Sequence, residues 1–325
     1  MPSLDPAILP TVEAVRAAER HVRTIMPPSR LVRNESLSDQ LGLDVWLKLE
    51  LENPTGSFKV RGAYNVLAEL TEEERRKGVV ASSAGNHGLG VAYAAKAFDT
   101  PAMLYVPRTA PQVKKDGIRA LGAIVNDKAL DYDAAMVLAK AHAARHDIRF
   151  INPCLGLDLL AGQGTVALEL LEQLPTVTTV LICTGGGGLL GGMGAVLRTL
   201  APHVRVIGVQ SEETAAMTHS VRAGRVQETP VTPTLADGLA GQIDEEALYI
   251  GQRCADDLVL VTEAEIGESI AWLHRTTGMK VEGAGAVTVA ALRHGRVTPQ
   301  TGPIAAVVSG QNIDDSRLAT LLATY

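Results

Sequence analysis

Short apolar, β-branched runs alternate along the chain with longer segments of helical length. The runs are VWLKLE (45–50), GVVASSA (78–84), AMLYVP (102–107), TTVLIC (178–183), RVIGVQ (205–210), DLVLVT (257–262) and IAAVVSG (304–310). Between them lie segments such as NHGLGVAYAAKAF and GQGTVALELLEQL. Strand, helix, strand order with near-continuous apolar strands predicts parallel sheets covered by helices on both faces, so the expected fold class is α/β. No internal repeat interrupts this pattern. The charge run TEEERRKG (71–78) predicts a solvated helix end. The proline-rich ETPVTPTLADG (228–238) predicts a surface connection, because proline supplies neither ladder nor helix donors.

The chain has 325 residues, more than one core usually serves, so two lobes are expected. With 46% hydrophobic residues a core is assured, and a net charge of −6 spread among mixed charges argues against a nucleic-acid surface. Cys154, Cys183 and Cys254 are far apart and odd in number, which suggests neither a disulfide framework nor a zinc site. They read as reduced, mostly packed thiols. Glu13, Arg16, Glu19 and Arg20 break up any signal-peptide core. The remaining apolar stretches fall short of the roughly 20 residues a bilayer requires. A cytoplasmic protein with no membrane segment is the expectation.

Two local signals carry chemistry. In TVLICTGGGGLLGGMGAVLRTLAP a buried strand runs through Gly185, Gly186, Gly187 and Gly188 into a helix. A backbone stripped of Cβ atoms at a helix N-terminus lets amides close around phosphate oxygens. Gly186, Gly188 and Gly191 also satisfy the dinucleotide spacing GxGxxG, with Glu212 about where a ribose-binding acid belongs, so a dinucleotide site is a rival. The second signal is Lys59 in ENPTGSFKVRGAYN (52–65), a cation between a glycine-marked turn and an apolar, helix-capable segment. A lysine amine, with a free pKa of roughly 10.4, forms an imine with an aldehyde once desolvated and positioned. Pyridoxal phosphate carries both an aldehyde and a phosphate. The loops SSAGNHG (82–88) and SGQNID (309–314) add polar groups to the same picture.

The segments PTGSFKVRGA, SSAGNHGLGVAYAAK, AGQGT, CTGGGGLLGG, TLADGL, VEGAGAV and SGQNID stand in the order and spacing of the pyridoxal-phosphate enzymes of fold type II. Over nearly its whole length the chain resembles their threonine/serine dehydratase and serine racemase branch. The resemblance implies a two-lobed, tryptophan synthase β-like fold with helix-covered parallel sheets in both lobes. Residues 1–77 and 154–325 would form the large cofactor-binding domain and 78–153 a small mobile domain. Lys59 would hold pyridoxal phosphate as a Schiff base and then act as the base at the α-carbon. Phe58 would lie along the ring, Asn86 would donate to the phenolic oxygen, and Ser309 would bond the pyridine nitrogen. Gly185, Gly186, Gly187, Gly188 and Leu189 would supply amides to the phosphate, and Ser82, Ser83, Asn86 and His87 would hold the substrate carboxylate.

Departures from the family pattern sharpen the expectation. Ser309 cannot fix a pyridinium proton as a carboxylate does, so the ring is a weaker electron sink and loss of a β-leaving group is the natural exit. Where the racemases place a serine before Gly-Asn-His, this chain has Ala84, which removes the second base and favours elimination over racemisation. At the positions of the racemase divalent-metal site stand Gln210, Thr214 and Ala216, poor hard-cation ligands, so no metal is expected. Cys154 and Gln311 replace the usual residues and leave the side-chain pocket open. The chain stops shortly after SGQNID, which suggests no added regulatory domain and a catabolic role. The expected enzyme is a lyase converting an L-β-hydroxy-α-amino acid to a 2-oxo acid and ammonia, working as a homodimer. Threonine and serine are the default substrates; 3-hydroxyaspartate, phenylserine or a hydroxyectoine-pathway intermediate would use the same machinery. The rivals are an amino-acid racemase and a non-catalytic amino-acid or nucleotide-binding protein.

Overall fold

The computed structural model describes residues 5–230, 232–298 and 301–325. Among these the strands are β1 Leu31–Arg33, β2 Val45–Leu49, β3 Val79–Ser82, β4 Ala102–Pro107, β5 Ile124–Ala129, β6 Arg149–Phe150, β7 Thr179–Cys183, β8 Arg205–Ser211, β9 Asp257–Val261 and β10 Ile304–Val308. A six-stranded sheet has the order β1-β2-β10-β7-β8-β9 and a four-stranded sheet the order β5-β4-β3-β6. All pairings are parallel except β1 with β2. The α/β architecture with helix-packed parallel sheets is the expected one.

Every residue of β7 and β10 is buried, as their unbroken apolar sequences require of central strands. Each of the seven apolar runs contains a strand. Three strands, β1, β5 and β6, were not anticipated. β5 is the edge strand IVNDKA, exposed or half-buried until its last residue, and β1 and β6 have three and two residues. None carries the apolar run that marks a buried strand. The charged run forms the helix Glu72–Lys77, with no buried residue and a capping box from Thr71 to Glu74. Among its described residues the proline-rich segment has no regular element before the short turn Asp237–Leu239.

The helix Lys59–Glu69 packs on the helix Leu157–Gln173 at a glycine crossing. A Cβ on Gly162 would stand 2.6 Å from the Arg61 carbonyl oxygen, so the backbones meet where larger residues would hold them apart. Beside this crossing lies a cluster of buried charges. Arg61, fully buried, gives Nε and Nη2 to the Glu50 carboxylate at 2.7 and 2.9 Å. It gives Nη1 and Nη2 to Glu169 at 2.6 and 3.0 Å. Lys48 Nζ reaches Glu169 at 2.7 Å, and Arg23 joins from the rim at 2.7 Å. Burial alone would raise the Glu169 pKa, but Arg61 and then Lys48 hold it down to about 2. This charged knot fixes the first turn of the helix that Lys59 begins. Among the described residues no helix is long and apolar enough to cross a membrane.

Candidate active site

The loops singled out by sequence gather at the carboxyl ends of the parallel strands, where open α/β sheets place ligand sites. β10 lies between β2 and β7, so the segment after each meets the others. An isolated bridge joins Ser57 to Gly310, Phe58 N donates to the Ser309 carbonyl at 3.1 Å, and Gln311 N donates to the Gly56 carbonyl at 2.9 Å. Gly56 turns the chain at φ +73°, and a Cβ there would stand 2.7 Å from Asn312 Oδ1. Lys59 thus enters as the first residue of its helix directly against the end of β10.

Lys59 is half-buried, with Nζ donating to the Pro153 carbonyl at 2.7 Å and lying 5.2 Å from the centre of the Phe58 ring. The glycine run follows β7 immediately and opens the helix Gly188–Leu200. Gly187 caps that helix at φ +89°, in the left-handed region, with no side-chain cap and no acid in the first turn. Side chains at the neighbouring glycines would collide: a Cβ on Gly185 would lie 2.9 Å from the Leu239 carbonyl oxygen, and one on Gly186 2.7 Å from Cys154 Sγ. The first-turn amides, that of Leu189 included, form a bare, positively polarised end suited to an anion.

Ser309 follows β10, is buried, and donates Oγ to the Ala284 carbonyl at 3.2 Å. Asn86 opens the helix Asn86–Ala97 after β3. Its Nδ2 donates to Glu282 Oε1 at 2.6 Å, and its Oδ1 accepts from Asn312 Nδ2 at 2.6 Å. In the same loop Ser83 Oγ accepts from Gly85 N at 3.1 Å, whereas the buried Ser82 Oγ has no partner among the described residues. His87 is turned into the interior: its Nε2 meets the Ile151 carbonyl at 3.1 Å and its Nδ1 has no partner among the described residues. Burial first, and the charge on Lys59 second, push its pKa down to about 3, so the ring is neutral.

Several residues near the site carried no role in the sequence reading. The main one is Glu282, which burial and then Asp237 push up to about 7. Its only signal was its place in VEGAGAV. Asp237 pairs with Lys114 at 3.3 Å. Tyr132, 42% exposed, lies near Cys154. The three cysteines are free thiols, and burial pushes Cys183 up to about 11 and Cys254 up to about 12. Near the end of β8, Gln210 donates Nε2 to the Thr214 carbonyl at 3.0 Å and accepts from Thr218 N and Oγ1 at 2.8 and 2.7 Å. Its amide is thereby satisfied within the protein.

A family model described as "Pyridoxal-phosphate dependent enzyme" matches residues 22–310. The chain is 40% identical over 305 residues to the L-threonine ammonia-lyase of Thermotoga maritima, covering 94% of this chain and 76% of that protein. Among solved structures, the processed form of threonine deaminase isoform 2 from Solanum lycopersicum superposes with a TM-score of 0.88 at 31% identity, covering 100% of this chain and 94% of that one. Maize serine racemase superposes with a TM-score of 0.91 at 27% identity, covering 97% and 98%.

Proposed function

This chain belongs to the pyridoxal-phosphate-dependent enzymes and is an ammonia-lyase of that family; we propose that it dehydrates and deaminates L-threonine, L-serine or a related L-β-hydroxy-α-amino acid. The observation that carries the reading is the meeting of Lys59, the glycine run 185–188 and Ser309 at the ends of β2, β7 and β10.

The residues present fit pyridoxal phosphate. Lys59 supplies the amine, Phe58 an aromatic face beside it, and Gly185 to Leu189 an uncapped helix end for the phosphate. Asn86 has one N–H beyond the one given to Glu282, for the ring oxygen. Ser309 supplies a hydroxyl that rotates to meet the ring nitrogen. When bound, the cofactor supplies the electrophile that captures the substrate amine and the conjugated ring that takes up electron density from the α-carbon.

The protein's own part is positioning and proton transfer. Lys59 Nζ, steered by the Pro153 carbonyl, takes the α-proton. Ser82, Ser83 and Asn86, with the loop amides around them, hold the substrate carboxylate, and the buried His87 ring supports that loop from beneath. Ala84 offers no hydroxyl on the opposite face, so the proton removed by Lys59 is not replaced from there and the β-hydroxyl is lost instead. The product enamine hydrolyses to the 2-oxo acid and ammonia. Residues 78–153, which carry the smaller sheet, act as a small lobe closing over the substrate, against a cofactor-binding lobe of 1–77 and 154–325. The chain acts in the cytoplasm as a homodimer, the commonest symmetric assembly. The neighbourhood of Cys154, Tyr132 and Gln311 selects the side chain, and no divalent metal is required.

The test is release of ammonia and 2-oxo acid from serine, threonine, 3-hydroxyaspartate and phenylserine in both α-configurations. Equimolar products from one or more L-isomers are expected. Racemisation at a rate comparable to oxo-acid release would overturn the assignment.

A further inference from the structure

We propose that Glu282 is a positioning residue of this active site, holding the Asn86 amide in the one orientation that leaves an N–H for the cofactor's ring oxygen; this rests on the pyridoxal-phosphate reading. A side-chain amide is nearly symmetric in shape, and its orientation is set by its partners. Here one partner, the Glu282 carboxyl, accepts from Asn86 Nδ2 at 2.6 Å, and the other, Asn312 Nδ2, donates to Asn86 Oδ1 at 2.6 Å. Asn312 is itself held by the Thr55 carbonyl at 2.9 Å. With both partners in place the amide cannot turn over without setting donor against donor, and one of its two N–H groups stays unassigned.

The placement of Glu282 is specific to this task. It immediately precedes the helix Gly283–Arg293, where an acidic side chain would ordinarily cap the free amides, yet its carboxyl makes no such cap. The side chain is turned instead toward Asn86. Room for it depends on Gly310, where a Cβ would stand 2.1 Å from Glu282 Oε1. Its backbone N–H donates to the Gly310 carbonyl at 3.1 Å, which ties it to the turn after β10. The charged and titratable groups around it are Asp237, paired with Lys114, and the Cys183 thiol at the end of β7. Burial and Asp237 bring its ionisation to about pH 7, so the group beside Asn86 changes charge within the working range.

Wild-type holoprotein, Glu282→Gln, Glu282→Ala, Asn86→Ala and the double alanine variant would be compared by cofactor dissociation constant and by pH titration of the cofactor's visible absorbance without substrate. Glutamine keeps the acceptor: its cofactor affinity should stay within about threefold of wild type, while the titration step near pH 7 disappears. Alanine at 282 should weaken cofactor binding by about tenfold or more. The double variant should be no weaker than Asn86→Ala, because Glu282 acts through that amide. Unchanged affinity and titration in Glu282→Ala, or losses that add in the double variant, would overturn the proposal while the cofactor assignment stands. A wild-type protein that takes up no cofactor would overturn both.

Discussion

Replacing Arg61 with methionine keeps an unbranched apolar stem and removes the one charge that faces both buried carboxylates. Arg61 makes four short contacts to Glu50 and Glu169, at 2.6 to 3.0 Å, and a fifth to Thr165 Oγ1 at 3.0 Å, all out of contact with water. Lys48 remains on Glu169, but Glu50 keeps only Ser29 and Asn53. Breaking a buried pair on one side typically costs about 3–5 kcal/mol, because the surviving charge is left desolvated. At about 2.1 cal/mol/K per residue, a chain of this length has an unfolding entropy near 0.7 kcal/mol/K at its midpoint, so Tm should fall by about 4–7 °C. The loss should also change the response to acid. Glu169 has its folded pKa depressed to about 2, so its contribution is full above the ordinary carboxylate value and is lost as pH falls toward 2. Without Arg61 that pKa rises, and the variant's deficit should shrink as pH falls from 7 to 4. Scanning calorimetry of the holoprotein at both pH values measures this. A Tm within about 1 °C of wild type at pH 7 would refute the assignment of the cluster as the anchor of the Lys59 helix.

Further outcomes follow from single contacts. Gly185→Ala should lower cofactor occupancy, read as visible absorbance per protein, because its Cβ meets the Leu239 carbonyl at 2.9 Å and the glycine run must shift. His87→Gln should leave the pH profile of turnover between 6 and 9 unmoved, since the ring is already neutral. A histidine with a depressed folded pKa loses stability as pH falls from its unfolded value, about 6.5, toward 3, and the variant should lack that part of the decline. Gln210→Glu should destabilise the turn after β8 by about 1–3 kcal/mol in a denaturant melt, because a carboxylate faces the Thr214 carbonyl where the amide donated. Dialysis against a chelator should leave turnover unchanged; loss restored by a divalent cation would contradict the proposal that no divalent metal is required.

How far the sequence reached depended on whether a residue's partner was nearby in the chain. β7 and β10 were legible because central parallel strands are apolar throughout, and the glycine run because its amides act locally at one helix end. Edge strands such as β5 carry no such pattern, since one side stays wet. Lys48, Glu50, Arg61 and Glu169 look individually like surface charges; only the fold brings residues as far apart as 61 and 169 into one dry knot. Glu282 escaped for the same reason. Its target, Asn86, is 196 residues away, and a glutamate before a helix reads as a cap until the side chain is seen to point elsewhere. The sequence reading places His87 on the substrate carboxylate, whereas its buried ring points to the Ile151 carbonyl, a direction set by packing across the fold.

The central claim is that Lys59 is the amine that carries the cofactor. Borohydride reduction of the holoprotein, followed by proteolysis and mass mapping, fixes any imine where it stands. The expected result is a single pyridoxyl adduct on the peptide containing Lys59, absent when substrate is present in excess during reduction. An adduct on another lysine, or none on a protein that still releases 2-oxo acid, would contradict it.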